Sequence, residues 1–255
     1  MPSGDALSEN KLKRSQYCNG KGYEEHVVAM GIGGPVRIFA SHDNEFPPSK
    51  LAATVTETKG KWVVKLDDRP AEEVYRRLRG MKADEKLTSD WQHPIGVVIS
   101  PQKVYLRMIL NWVGADGKDK DGQDAGAPPG SLRFVSPVVK GTKVRCLAGG
   151  DDARAIVASA RRGVSEAVAD AQAAGYAPAL ALISNCCARG MRLRTFRKAN
   201  DDEVTEAILP ALGANVPVFG FYAWGELGRI RGEYQRLDHQ YQQHTFVTSV
   251  VAVER

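Results

Sequence analysis

The chain is poor in cysteine. Four residues in 255, Cys18, Cys146, Cys186 and Cys187, form no C-x-x-C pair. With five histidines they supply no close set of four zinc ligands. A disulfide-stapled secreted scaffold would be denser in cysteine and usually shorter, so reduced thiols in a reducing compartment are expected. Long apolar runs are also missing. None approaches the roughly 18 residues of a membrane helix, which predicts no membrane insertion. The N-terminal stretch MPSGDALSENKLKRSQYCNG has no apolar centre, and its Asp5 and Glu9 argue against a mitochondrial presequence. A cytoplasmic protein is expected.

Motifs of nucleotide and hydrolase chemistry are absent too. Gly31-Ile32-Gly33-Gly34-Pro35-Val36 fails G-x-G-x-x-G at its last position, and there is no P-loop, H-E-x-x-H or G-x-S-x-G. Residues 114–130 resemble a calcium loop in composition. Counted from Asp116, however, Lys118 and Asp121 fall where an acidic residue and a glycine are needed, and a mobile hairpin loop is expected. The net charge of +5 is too small to indicate nucleic acid.

What is present is a globular composition, 43% hydrophobic. A loose tail is expected to about residue 22. Residues 27–39 read as two short strands, residues 40–50 as loop, and ATVTET and KWVVKLD as a hairpin around Lys59-Gly60. Pro70 opens a helix that Asp68 is placed to cap, with acids first, bases last and Gly80 ending it. Strands are expected at 95–100 and 104–113, and a hairpin from 132–136 and 142–147. A long helix is expected over 151–174, with Asp151 or Asp152 as cap and an apolar stripe from Ile156 to Ala171. ALALIS and VPVFGFYA read as buried strands. Between them Asn200 caps a helix with Glu203 at the capping-box position. HTFVTSVVAVE is a terminal strand. This order predicts an α+β fold with a mixed, largely antiparallel β-sheet and flanking helices.

Three segments could carry chemistry. Ser184-Asn185-Cys186-Cys187-Ala188-Arg189-Gly190 leaves a strand at the end where open sheets hold ligands. Arg189, Arg192, Arg194, Arg197 and Lys198 follow in a stretch without acids. Here a core cysteine beside a solvated arginine face, a ligand-contacting Cys186 and Arg189, and an activated thiol all remain open. The run is basic, but Phe196 is its only aromatic, so nucleic acid is not the expected partner. Gly220-Phe221-Tyr222-Ala223-Trp224-Gly225-Glu226 leaves the next strand, with Glu226 near its end. Tyr241 to Val247 enters the last strand. Its alternation puts Gln243, Thr245 and Val247 on one side and His244, Phe246 and Thr248 on the other.

Taken in order, Cys186-x-x-Arg189, Pro217-x-x-Gly220-Phe221-Tyr222-x-x-Gly225-Glu226 and His244-Thr245-Phe246-Val247 resemble the C-terminal half of the FIST domain family. Val55-Thr56, Leu66-Asp67 and Pro70-Ala71 resemble the junction between that family's two halves, and Phe134 to Val144 continues the likeness. The resemblance implies a tail over 1–22, a shortened N-terminal half over 23–66 and a C-terminal FIST domain over 67–255. It implies a non-enzymatic sensory module that signals through a protein partner and binds a small ligand such as an amino acid. Cys186, Arg189, Tyr222, Gly225, Glu226 and Thr245 would line the site, Arg189 taking a carboxylate and Glu226 an amino group. No cofactor is expected; haem is the alternative, since some members bind it and sense nitric oxide. Gln242 and Gln243 stand where the family tends to carry His-Asn. A scaffold subunit that kept the fold without the pocket and a cysteine-dependent enzyme are the competing readings.

Overall fold

A computed structural model describes residues 15–24, 26–46, 48–82, 85–87, 94–98, 104–147, 152–196, 200–213, 215–229, 239–242 and 245–254. Packing divides the chain into two units, residues 1–36 and 37–255. In the first, Ser15–Cys18 (β1) and Lys21–Glu24 (β2) pair as an antiparallel hairpin where a loose tail is expected. Asn19 and Gly20 turn it at φ 51° and 76°, the double left-handed turn that suits strand twist. Residues 26–33 hold no regular structure. Only one of the two strands expected over 27–39 forms, and it runs on into the expected loop, as Val36–Asp43 (β3).

The second unit contains two larger sheets. Pro48–Lys59 (β4) and Trp62–Leu66 (β5) are the hairpin read from the sequence, with Gly60 at φ 57° in its turn. Arg69–Pro70 (β6) returns against β5 through Asp67 and Asp68, both at positive φ. Asp68 therefore does not cap the helix Ala71–Arg79 (α1). Pro70 is its N-cap residue, without a side-chain hydrogen bond, and the Asp68 N–H donates to Thr56 Oγ1 at 2.9 Å. Gly80 closes α1 in the left-handed conformation, as expected.

Ile95–Val98 (β7), Val104–Arg107 (β8), Ile109–Trp112 (β9), Leu132–Phe134 (β10) and Lys143–Leu147 (β11) complete this sheet in the order β8-β7-β11-β4-β5-β10-β9. The hairpin expected of β10 and β11 does not form. Between them Val55 exchanges backbone hydrogen bonds with Gly141 and Thr142, so the connection crosses β4 and β5 and puts the strands on opposite sides of that pair. The 114–130 loop is tied down: Asp119 accepts backbone N–H groups from Asp121 and Gln123 and the Asn111 amide.

Ala153–Ala173 (α2) is the long helix, with Asp152 accepting the Arg154 N–H as N-cap. Tyr176–Cys186 (β12) follows, then Cys187–Thr195 (α3), a helix the sequence reading missed. Residues 200–212 are helical in three consecutive pieces, Asn200–Glu203 (α4), a π-helical turn at Val204–Ile208, and Leu209–Leu212 (α5). Val218–Ala223 (β13) pairs parallel with β12; Glu226–Arg229 (β14) and His239–Gln242 (β15) form a small hairpin; Phe246–Glu254 (β16) lies antiparallel on the other side of β12. The sheet order is β13-β12-β16-β3. The fold is α+β with mixed sheets.

The stripe on α2, Ile156, Ala160, Val164, Ala167 and Ala171, packs with Ile183, Phe246, Val250 and Ala252 to make the core beneath this sheet. Phe246 is fully buried, and Gly163 lets α2 pack closely on it: a Cβ there would lie 3.2 Å from Phe246 Cδ1. β13 corrects the expectation of a buried strand. It sits at the sheet edge, and Phe219 and Phe221 are 64% and 58% exposed.

Candidate functional site

β12 delivers its last residue, Cys186, to the site, and α3 begins at the next. Cys186 is the N-cap residue, extended at φ −66° and ψ 131°. The chain turns into a helix here without a capping side chain because Ala188, Met191, Arg192, Leu193 and Arg194 are good helix formers. That composition was the available signal for α3. It lacks the caps and apolar periodicity that mark α2.

One turn into α3 lies a buried ionic cluster. Arg189 is 0% exposed. Its Nε donates to Asn185 Oδ1 (2.9 Å), its Nη1 to Glu45 Oε2 (2.6 Å) and Ser159 Oγ (2.9 Å), and its Nη2 to the Ile156 carbonyl (2.9 Å) and Glu203 Oε1 (2.5 Å). These use all five guanidinium N–H groups. Asn185 also donates to Glu203 Oε2 at 2.6 Å, and Arg192 Nη1 reaches Glu45 Oε1 at 3.2 Å. Two arginines thus face two glutamates among the described residues. Burial pulls the Arg189 pKa down, but Glu203 and Glu45 outweigh it and the net shift is upward. Arg189 stacks over Phe246 and Arg192 over Phe46, with centroid distances of 5.6 and 5.1 Å.

This placement gives Arg189 an occupation other than ligand binding, since no donor is left over. It also takes Arg189 and Arg192 out of the arginine face read as solvated, while Arg194 is exposed. Arg192 is 2% exposed, and Arg197 and Lys198 lie outside the described residues. Glu203, expected in a capping box, instead spends both carboxylate oxygens on Asn185 and Arg189. Sequence reasoning missed Glu45 and Ser159, because nothing local ties them to Arg189, and gave no role to Asn185, four residues before it.

Beside this cluster, Cys186, Cys187, Glu226 and Thr245 come together. The Cys186 N–H donates to the Thr245 carbonyl at 3.0 Å, fastening the end of β12 to the approach of β16. Glu226, one residue past Gly225, is 1% exposed. Its Oε2 accepts the Thr245 hydroxyl at 2.9 Å and the Thr245 N–H at 3.4 Å, while Oε1 has no hydrogen-bond partner among the described residues. Burial, and next the neighbouring Cys186, push the Glu226 carboxyl up to about 9. It is therefore protonated at neutral pH, a donor held in a dry site. The Cys186 side chain hydrogen-bonds to Cys187 and lowers its pKa. This outweighs burial and the nearby Glu226, and the amides at the start of α3 add to it. Cys186 is buried and Cys187 half-buried.

Tyr222 lies on β13 and Trp224 just past its end, before Glu226, and they are 42% and 60% exposed. Of the six residues singled out from sequence, Cys186, Glu226 and Thr245 meet, Gly225 and Tyr222 flank Glu226 along the chain, and Arg189 belongs to the adjoining cluster. His244, which carries the haem alternative, and Gln243 lie outside the described residues. Among the described residues no three His, Cys, Asp or Glu side chains are grouped to hold a metal ion. No described helix is long and apolar enough to cross a membrane.

The model of one protein family, described as the FIST C domain, matches residues 71–229, more than half of the chain. No curated protein matches it.

Proposed function

The chain belongs to the FIST C domain family, a family of sensory, ligand-binding domains that are in general not catalytic, and on that premise we propose that it is a non-enzymatic ligand-sensing module. Its small ligand is held where β12 ends, by Glu226 and Thr245 with Cys186 alongside and Gly225 and Tyr222 flanking. The observation that carries this reading is Glu226 Oε1, a carboxyl oxygen almost wholly removed from water with no hydrogen-bond partner among the described residues. A buried polar atom left unpaired costs roughly 1–3 kcal/mol, and a ligand amine that takes the Glu226 proton and pairs with the carboxylate as an ammonium recovers that cost. An amino acid or another primary amine is the ligand class this favours. Arg189 acts by holding the first turn of α3 in place rather than by touching the ligand. The output passes to a protein partner.

Thermal-shift screening of the full chain against amino acids and simple amines tests the reading. An amine should raise the melting temperature of the natural protein and fail to do so in Glu226→Gln. If no amine shifts either protein, the reading falls.

One observation favours the scaffold alternative. The β13 edge presents Phe219, Phe221 and Trp224 to solvent, a row suited to a partner protein. Co-purification of a stoichiometric partner that is lost in Phe219→Ser with Phe221→Ser, without any amine response, would support the scaffold reading over sensing.

A further inference from the structure

We propose that Cys186 and Cys187 are a modification site: a hydroperoxide oxidises this adjacent pair to a reversible disulfide at the β12–α3 junction. Four observations place the chemistry. The two thiols are consecutive in sequence, and their side chains are hydrogen-bonded to each other. Cys187 is the first residue of a nine-residue helix and half-buried, so its sulfur has both helix amides and solvent beside it. Cys186 is 3% exposed and out of reach of bulk reagents, as suits a resolving thiol. The Glu226 carboxyl hydrogen-bonds to the Cys186 side chain, with Oε1 unpaired among the described residues, a proton carrier inside the site.

The steps balance. The Cys187 thiolate attacks the terminal oxygen of the hydroperoxide; an S–O bond forms, the O–O bond breaks, and the departing alkoxide takes the Glu226 proton. The Glu226 carboxylate then accepts the Cys186 thiol proton as that sulfur attacks Cys187. The S–S bond forms, the S–O bond breaks, and hydroxide leaves with that proton as water. Solvent reprotonates Glu226. Overall, two thiols and one hydroperoxide give a disulfide, an alcohol and water.

Adjacent Cα atoms lie about 3.8 Å apart across a trans peptide, short of the usual 4.4–6.8 Å span of a disulfide. The ring is therefore strained and easily reduced, which makes it a switch rather than a staple. Arg189 is two residues along, so the turn that the ring strains is the one carrying the buried ionic cluster. No ligand is needed for this reaction, and its failure leaves the amine reading standing.

The test uses the full chain, treated with limiting hydrogen peroxide, alkylated with iodoacetamide and digested with trypsin. No lysine or arginine lies between Gly163 and Cys187, so one peptide, Gly163 to Arg189, carries both cysteines. The expected product is that peptide without alkyl groups and lighter by two hydrogens, restored to the dialkylated form by dithiothreitol. Oxidation should fall on Cys187 ahead of Cys146, which is 6% exposed and whose thiol burial pushes up. Cys186→Ser should stop at sulfenic or sulfinic acid on Cys187. A peptide that stays dialkylated while Cys18 is consumed, or a bridge to Cys18, Cys146 or a second chain, overturns the proposal.

Discussion

Arg189 and Glu45 lie 144 residues apart in sequence, yet their side chains meet at 2.6 Å with both excluded from solvent. The contact ties the segment after β3 to the first turn of α3, directly beside Cys186 and Cys187. A buried pair of this kind contributes little net stability compared with an apolar replacement of the same volume. Breaking one side leaves an uncompensated charge in the interior.

Glu45→Ala and Arg189→Ala should each destabilise the protein by about 3–5 kcal/mol. Arg189→Lys should not recover the loss, because an ammonium cannot satisfy five acceptors around a planar fork. Urea denaturation of the three variants checks this. A loss below 1 kcal/mol in Glu45→Ala would show that the cluster relaxes without it.

Glu226 sets a pH dependence whose sign is opposite to that of a salt-bridged carboxylate. Its folded-state pKa, about 9, lies above the ordinary carboxyl value. Between the two the folded protein holds a proton that the unfolded chain has lost. Stability from this group is therefore complete at acid pH and falls as pH rises through that window, by up to about 1.4 kcal/mol per unit. Glu226→Gln should flatten the decline and be the more stable protein at pH 8. Denaturation midpoints from pH 5 to 9 decide it, and parallel curves would contradict the assignment.

Cys187 should be the quickest thiol to alkylate near neutral pH, ahead of Cys146, which is 6% exposed and whose pKa burial raises. Cys186→Ser should slow the reaction of Cys187, since the Cys186 hydrogen bond is the largest factor lowering its pKa. Iodoacetamide labelling rates followed by peptide mass give the comparison. Unchanged Cys187 kinetics in Cys186→Ser would remove that hydrogen bond as the cause.

Gly96 reports on the packing of the larger sheet. A Cβ added there would lie 2.8 Å from Val104 Cβ and 2.9 Å from Leu147 Cδ2, so a neighbouring strand must move. Gly96→Ala should cost about 1–3 kcal/mol. Phe246→Ala, at a fully buried ring between α2 and Arg189, should cost more, about 3–5 kcal/mol. Thermal unfolding of the two variants ranks them.

Much of this fold is legible locally. The stripe and cap of α2, the β4–β5 hairpin around Gly60, and β16 follow from patterns within a few residues of each position. β13 shows where such reading stops. PVFGFYA looks like the interior of a sheet because apolar composition does not reveal which strand lies at the edge. α3 escaped for the opposite reason. Its arginines suggest a solvated surface, while its propensity for helix is carried by those same residues. At the site, Cys186, Glu226 and Thr245 could be chosen from sequence because the motifs that carry them, each at a strand terminus, resemble the family's. Their grouping depends on β12 lying beside both β13 and β16.

The sequence by itself determined most of the elements, the family and the set of polar residues at strand ends, because hydrophobic period, turn glycines and motif order are local properties. The tertiary structure decided what those residues do. Between Cys186 and Lys198 the chain has no acid, so Arg189 reads as free to bind a ligand. Folding brings Glu45 to it from 144 residues away and Glu203 from 14, and consumes its donors. It also leaves Glu226 desolvated beside two thiols, because burial and partnership arise only from residues that packing makes neighbours.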